Sequence, residues 1–549
     1  MKTHLYADTI IKGGKIITMT GEDETASWVA VQDGIIIDVG ISGSYDRYIG
    51  PDTVVRDLEG QVMLPGFYDG HSHFSTGGLT ALYYEDLRSK PIGTMTCIAD
   101  YIKALKNRAS ITPEHKPVLG TGYDQTTISE MRHPTRQELD MVSTGRPVIL
   151  NHVTAHIMAV NSKALEIMGI NADTPDPEGG VIRRDKDGIP NGILEESAVF
   201  YVWNNKEFNI FGTFDEQMEA FAYNSHIYAS HGVTTANEGS IANLQQYEEA
   251  VRRGKMKIRS VLWFAPKDLL SDTPPIPSDD VKNMISVGGG KIFADGSVNT
   301  YTAWLTRPYH VKEPGMDEQF AGYPAISYDG LNDAVSQVTD RGYNMYIHCN
   351  GDAAIDECIK AYKKVRQKHP DDSLKLVLVH AQCARKDQLL EMQKYSITPS
   401  FYCSNVYYAG DRFRDIFLGP ERAENCNPIG SAMDLGLLCT MHLDTPVQPQ
   451  DPIMSIWAAV NRKTASGKTL GKDQCISVYQ ALLANTFYPA IQNSEGHIKG
   501  TIQKGKYADF VILDRDPLST DPDDLINIQV METLVGGQTV YMKGEKNEQ

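Results

Sequence analysis

GFYDGHSHF, residues 66–74, sets His71 and His73 two apart behind an apolar run that includes Val62, Met63 and Leu64. In an extended chain residues i and i+2 face the same side, so the two imidazoles can converge on one ion. Alone, the pair reads more readily as polar side chains closing a strand than as half of a metal site. What decides between them is whether other stretches end in the same way. Seven more do, closing at Gly232-Val233-Thr234-Thr235-Ala236-Asn237-Glu238, Ile258 to Phe264, Lys291-Ile292-Phe293-Ala294-Asp295-Gly296, Met345-Tyr346-Ile347-His348, Leu376-Val377-Leu378-Val379-His380, Ile397 to Phe401, and Leu437 to Asp444. Most are followed by segments of helical period, with helices expected at 214–230, 242–254, 329–341, 353–368 and 385–394.

Eight strand–helix units predict an α/β fold built on a parallel (β/α)8 barrel, whose βα loops gather strand-end side chains over one mouth. Five of the eight runs bring His, Lys or Asp there. His348 and His380 each close a run and Asp444 closes the last, so residues hundreds of positions apart would join His71 and His73. Lys291 stands at the beginning of its run, after Gly288-Gly289-Gly290, where a buried ammonium is costly unless paired or modified. Two readings stay open for it: carbamylation by CO₂ to an anionic arm that bridges two cations, or a salt bridge with Asp295 or another barrel acid.

Residues 75–213 do not fit the strand count and are read as a subdomain inserted over the mouth. They carry runs of their own at 118–122 and 147–150, Pro/Gly-rich text at Thr174-Pro175-Asp176-Pro177-Glu178-Gly179-Gly180, and the helix capping-box spacing Thr135-Arg136-Gln137-Glu138. The remaining barrel occupies 214–490. Residues 1–65 and 491–549 alternate β-rich runs with turns, Asp33-Gly34 reading as a hairpin turn, and neither end has enough strands to bury a sheet face alone. They are expected to form one composite β-sandwich.

A chain of 549 residues exceeds a single core, and 41% apolar with 22% charged residues is an ordinary globular composition. The formal charge of −18, with no basic runs, argues against nucleic acid as a partner. Met1 to Tyr6 lack a secretory apolar core, and no apolar stretch reaches about 18 residues, so secretion and membrane insertion lose support. Eight scattered cysteines without a CxxC pair speak against a zinc ribbon or a disulfide scaffold and fit free thiols in the cytoplasm. The expected partner is a small-molecule substrate; the sequence leaves monomer and homo-oligomer both open.

Pro65-Gly66-Phe67-Tyr68-Asp69-Gly70-His71-Ser72-His73 and the ending Gly500 to Leu513 resemble the amidohydrolase superfamily over nearly the whole chain. More narrowly, His133-Pro134-Thr135-Arg136, Val160 to Leu165, Thr174 to Gly180, Phe293 to Ser297, His348 to Ala353 and His380-Ala381-Gln382 resemble its branch of N-substituted formamide deformylases and YtcJ-like hydrolases. The resemblance implies a barrel with a composite β-sandwich and a metal set of His71, His73, Lys291, His348, His380 and Asp444, with Glu238 in reserve for the bridging carboxylate. The sequence departs from the branch at Met441-His442-Leu443-Asp444, where a Ser-Asp pair is common. His442 would orient Asp444, contact substrate or fill the barrel with a local hydrogen bond, and His156 is expected to serve the insert structurally rather than to touch substrate.

The chemistry expected is hydrolysis of a carbon–nitrogen bond, of amide or N-substituted formamide type, by water activated on one or two Zn²⁺ or other divalent ions, with Asp444 moving the proton. Two other readings compete. Lys291 would form a Schiff base as in class I aldolases, or the barrel would be a non-catalytic scaffold. Tyr68, Tyr123, Trp304, Tyr407 and Tyr408 are aromatic candidates for the pocket wall, each equally explained by packing.

Overall fold

Eight short parallel strands, Phe67–Asp69, Val233–Gly239, Arg259–Phe264, Ile285–Phe293, Asn344–Cys349, Leu376–His380, Ile397–Phe401 and Thr440–Met441, pair in chain order in the computed structural model. The structure describes residues 6–239, 243–313, 315–371 and 373–545. The Gly70 N–H reaches the Met441 carbonyl at 3.3 Å, which brings the last strand back to the first and nearly closes the barrel. Helices Phe214–Ser230, Leu244–Arg252, Tyr328–Asp340, Asp352–Lys368 and Lys386–Lys394 lie where the helical period puts them. The expected start of the second, at 242, lies outside the described residues, as do residues 1–5 and 546–549 at the chain ends. The main core is the apolar layer between strands and helices, from Phe67 and Val233 to Ile453 and Leu482.

Two strands differ from their expected extents. Strand four begins at Ile285, so Lys291 is third from its end and not at its beginning. The glycines before it belong to the strand, and Trp263 fills the barrel beside the first of them: a Cβ on Gly288 would stand 2.3 Å from Trp263 Cε2. Trp263 in turn stacks on Tyr346, both fully buried. The last strand is only Thr440–Met441 rather than Leu437 to Asp444. Past it the chain turns over the mouth, Asp444 at φ +54°.

The two chain ends share one eight-stranded sheet, with Val62–Pro65 antiparallel to Phe510–Leu513. Asp33 and Gly34 both take positive φ, 50° and 75°, as a two-residue hairpin turn of the right twist requires. A buried ion pair ties this sheet to the barrel: the Arg259 guanidinium donates to both oxygens of Asp509 at 2.7 and 2.9 Å. Arg259→Ala would strand the buried carboxylate, a loss of about 3–5 kcal/mol for broken pairs of this kind. It is expected to lower the midpoint of thermal unfolding, followed by circular dichroism; an unchanged midpoint would mean the pair contributes nothing to the joint.

The insert holds a six-stranded sheet in the order Gly180–Arg184, Pro190–Glu196, Ile157–Val160, Val148–His152, Val118–Tyr123, Glu85–Asp86, over two apolar clusters of its own. Its capping box forms, with Thr135 Oγ1 accepting from the Glu138 N–H and Glu138 accepting from the Thr135 N–H. The eight cysteines are free thiols. Among the described residues no helix is long and apolar enough to cross a membrane.

Candidate active site

The end of strand one is held by Asp69, buried below the mouth. Its Oδ1 accepts from the N–H of His71 at 3.3 Å and of Leu443 at 3.0 Å, locking strands one and eight together. Asp444 donates its N–H to the His71 carbonyl at 3.0 Å, and His73 donates to the Thr445 carbonyl at 2.8 Å. These bonds overdetermine a turn in which Asp444 adopts a left-handed backbone, and His380 on the far side does the same at φ +73°. Left-handed non-glycine residues cost free energy, and both of these carry side chains into the mouth.

His71 Nε2 and His73 Nε2 each lie 3.6 Å from Asp444 Oδ1, and the three donor atoms all fall within 4.8 Å of one another. Donors sharing one ion at about 2.1 Å stand about 3.4 Å apart in a tetrahedral shell, so this set fits a divalent cation. His348 Nδ1 and His380 Nε2 face each other at 3.1 Å, and His380 Nε2 is 4.0 Å from Asp444 Oδ2. Lys291 Nζ is 3.5 Å from His71 Nε2. The mouth thus brings together all six side chains that the resemblance implies as ligands.

Burial drives the charges in a consistent direction. It holds His71, His348 and His380 well below the usual histidine range and His73 at about 3, with Lys291 adding to the shift of His71 and His73. Neutral imidazoles keep the lone pairs that a cation needs. Burial likewise pushes Lys291 down and Asp444 up, each charge opposing the shift of the other. Lys291 has no ion pair with Asp295, contrary to one expectation for it. Asp295 instead accepts the backbone N–H groups of Trp304, Asn350 and Gly351 at 2.9, 2.9 and 2.8 Å, pinning the loops after strands four and five.

Glu238, the reserve bridge, has one oxygen engaged elsewhere. Its Oε2 accepts from the Ser75 N–H at 2.7 Å and from the Tyr247 hydroxyl, capping the helix that follows His73. His442 makes no hydrogen bond to Asp444 among the described residues; buried in the barrel, it takes local bonds as one expectation had it, its Nε2 meeting His380 Nδ1 at 3.0 Å and its Nδ1 meeting Ser400 Oγ at 2.9 Å. With His380 Nε2 given to a cation, its Nδ1–H donates to His442, which fixes ring and tautomer as outer partners of metal ligands do. His442→Phe is expected to weaken metal affinity by about 10–100-fold, read by competition with a chromogenic chelator. Unchanged affinity would reduce His442 to packing.

His156 bonds Glu196 within the insert, in keeping with the structural role expected of it, and also lines the cleft with His348, His380 and Asp444, its ring centroid 4.8 Å from that of His348. Glu196 accepts from its Nδ1 at 2.8 Å. Burial alone would favour the neutral ring, and the carboxylate outweighs it, holding His156 above the usual range. Of the aromatic candidates only Tyr408 lines the cleft. Tyr68 bonds Glu495 at the barrel floor, Tyr123 meets His133, Tyr407 packs on Trp457, and Trp304 borders a separate apolar cavity. Tyr402, which the pattern did not single out, lies beside His380 and His442 with a buried hydroxyl that has no partner among the described residues. Its signal was there in principle, an aromatic one residue past strand seven.

A parallel barrel with histidines and an aspartate converging at its C-terminal mouth defines the class, a barrel carrying a candidate metal centre at its open end. The profile of the amidohydrolase family matches residues 54–541, and the chain belongs to that family. It is 28% identical to YtcJ of Bacillus subtilis (strain 168) over 548 residues, covering 97% of this chain and 99% of that one. It is also 28% identical to the N-substituted formamide deformylase of Arthrobacter pascens over 555 residues, covering 97% and 98%. The solved structure of an uncharacterised metal-dependent hydrolase from Pyrococcus horikoshii OT3 shares the fold with a TM-score of 0.71 at 23% identity, over 94% of this chain and 99% of the other.

Proposed function

We propose that the protein hydrolyses a carbon–nitrogen bond in a small amide, with N-formyl and N-acyl amines as the leading class, at a divalent cation centre. One observation carries this reading: His71, His73, His348, His380, Lys291 and Asp444 present their donor atoms to one buried mouth, with the imidazoles held neutral. The match to a deformylase of N-substituted formamides supports the substrate class. Zinc is the leading metal, since neutral imidazole with carboxylate is a ligand set it takes readily.

Bound there, the cation would supply Lewis acidity, lowering the pKa of water towards about 7 and polarising the scissile carbonyl. The protein's own groups do the rest. Asp444, 3.6 Å from His71 and His73, is placed to take the proton of the attacking water and hand it to the leaving nitrogen. The free hydroxyl of Tyr402 and the ring of His156, held by Glu196, are the donors available to the substrate oxygen as it gains charge. Carbamylated, Lys291 would offer its carboxylate as a further ligand to the cation centre.

The test is metal analysis of protein purified without chelator, joined to turnover of a panel of formamides, acyl amino acids, lactams and lactones. One or two equivalents of metal and chelator-sensitive release of an amine are expected. Less than about a tenth of an equivalent after supplementation, with no turnover, would favour the scaffold instead.

A further inference from the structure

We infer that the cleft contains an anion subsite built on Arg412, so that the substrate carries a carboxylate away from the bond that is cut; this rests on the hydrolase reading of the same cleft. Arg412 ends the helix Asn405–Arg412, which follows strand seven, and its side chain is 20% exposed. It lines the cleft together with Asp444 and His380 at the chemical end and the amides of Asn405 and Gln448.

The guanidinium is under-used. Among the described residues a single carboxylate meets it, Asp124 of the insert, with Oδ2 3.3 Å from Nη2. The other oxygen of Asp124 is taken by the Thr126 N–H and hydroxyl at 2.8 and 2.6 Å. Arg412 Nε is buried with no hydrogen-bond partner among the described residues. A guanidinium offers five N–H donors in a planar fork, and leaving a buried one unmade is costly unless a ligand completes it. The group that matches the fork is a carboxylate, through two parallel bonds.

The surrounding charge agrees. Arg88 and Lys90, from the insert, also line the cleft. Arg88 is neutralised by Asp86 through a two-point contact at 2.8 and 2.6 Å. Lys90 is exposed at the rim. With Arg88 paired to Asp86, Lys90 and the part-engaged Arg412 remain to draw in an anionic end and orient it with its amide towards Asp444. An N-acyl amino acid has this shape, an amide at one end and a carboxylate a few bonds away.

The opposing explanation is that Arg412 merely pins the helix after strand seven to the insert through Asp124, and the experiment separates the two. Metal-loaded full-length protein, wild type, Arg412→Met and Arg412→Lys, is given N-formylphenylalanine in both enantiomers and the corresponding N-formylphenylalaninamides. Wild type is expected to favour an acid over its amide by roughly tenfold or more in kcat/KM, the scale of a charge-assisted pair. Arg412→Met should bring the two within about twofold, by raising KM for the acid alone, and Arg412→Lys should restore part of the preference. Equal treatment of acid and amide by wild type, or an equal loss on both in Arg412→Met, would overturn the subsite. If none of the probes is turned over, calorimetric binding of the same pairs decides: tighter binding of the acid that disappears in Arg412→Met upholds the subsite while counting against the substrate class, and equal binding overturns it.

Discussion

Asp444→Asn is expected to lower kcat/KM by about 10²–10⁴-fold, the range for losing a positioned proton-transfer group. The substitution keeps size and an oxygen able to face a cation, and it leaves the bonds that shape the turn intact, because those run through the backbone N–H of Asp444 to the His71 carbonyl and of His73 to the Thr445 carbonyl. The four imidazoles of His71, His73, His348 and His380 also remain. Most of the metal should therefore stay bound while turnover is lost, and metal content measured on the same sample as activity reads the split. Wild-type turnover in the variant would remove Asp444 from the proton path. Loss of metal in proportion to activity would make it a ligand and nothing more.

The barrel and its mouth were legible because the same rule repeats along the chain: a buried strand is a short apolar run, and its C-terminal residue is the first free to be polar. That rule finds His380 at its strand's last residue and His348 one before it, and the same apolar runs point on to His71 and Asp444, which stand two and three residues beyond the ends of strands one and eight. It also nominates Glu238, and position at a strand end does not say which partners a side chain takes; one oxygen of Glu238 serves Ser75 and Tyr247. Gly288 to Gly290 look like a boundary and are interior strand: a Cβ on Gly288 would meet Trp263 of the neighbouring strand and one on Gly289 the Asn344 carbonyl, contacts between segments that the run itself does not show. The pairing of Arg412 with Asp124 depends on how the insert settles over the barrel, whereas His156 meets Glu196 across neighbouring strands of the insert's own sheet. No periodicity within either segment encodes that docking. Gly192-Ile193-Leu194-Glu195-Glu196 does close an apolar run on two acids, so the run-end rule applied inside the insert would have raised Glu196 as a candidate.

Lys291→Ala is expected to reduce turnover by at least about 10²-fold, the cost typical of losing a group that supports a metal centre. It is further expected to recover part of it when acetate or propionate is added. Lys291 is buried, close to His71, and shifted down from the usual lysine range, so its amine is available in the neutral form that attacks CO₂. In that reaction the nitrogen lone pair forms a bond to carbon, one proton leaves the nitrogen, and the product is an anionic carboxylate on the lysine arm. Alanine removes the arm and opens room in which a small free carboxylate can stand. A plain ammonium paired with Asp444 would give a different pattern, because the variant would lack a cation and added carboxylate would only worsen the balance. A Schiff-base lysine differs again: borohydride with a carbonyl substrate would trap it covalently, and a carbamate, whose nitrogen is no longer a nucleophile, would not react. Dependence of wild-type activity on bicarbonate during metal loading, rescue of the variant by acetate and absence of borohydride trapping together identify the carbamate; trapping, or a variant indifferent to both bicarbonate and acetate, rejects it.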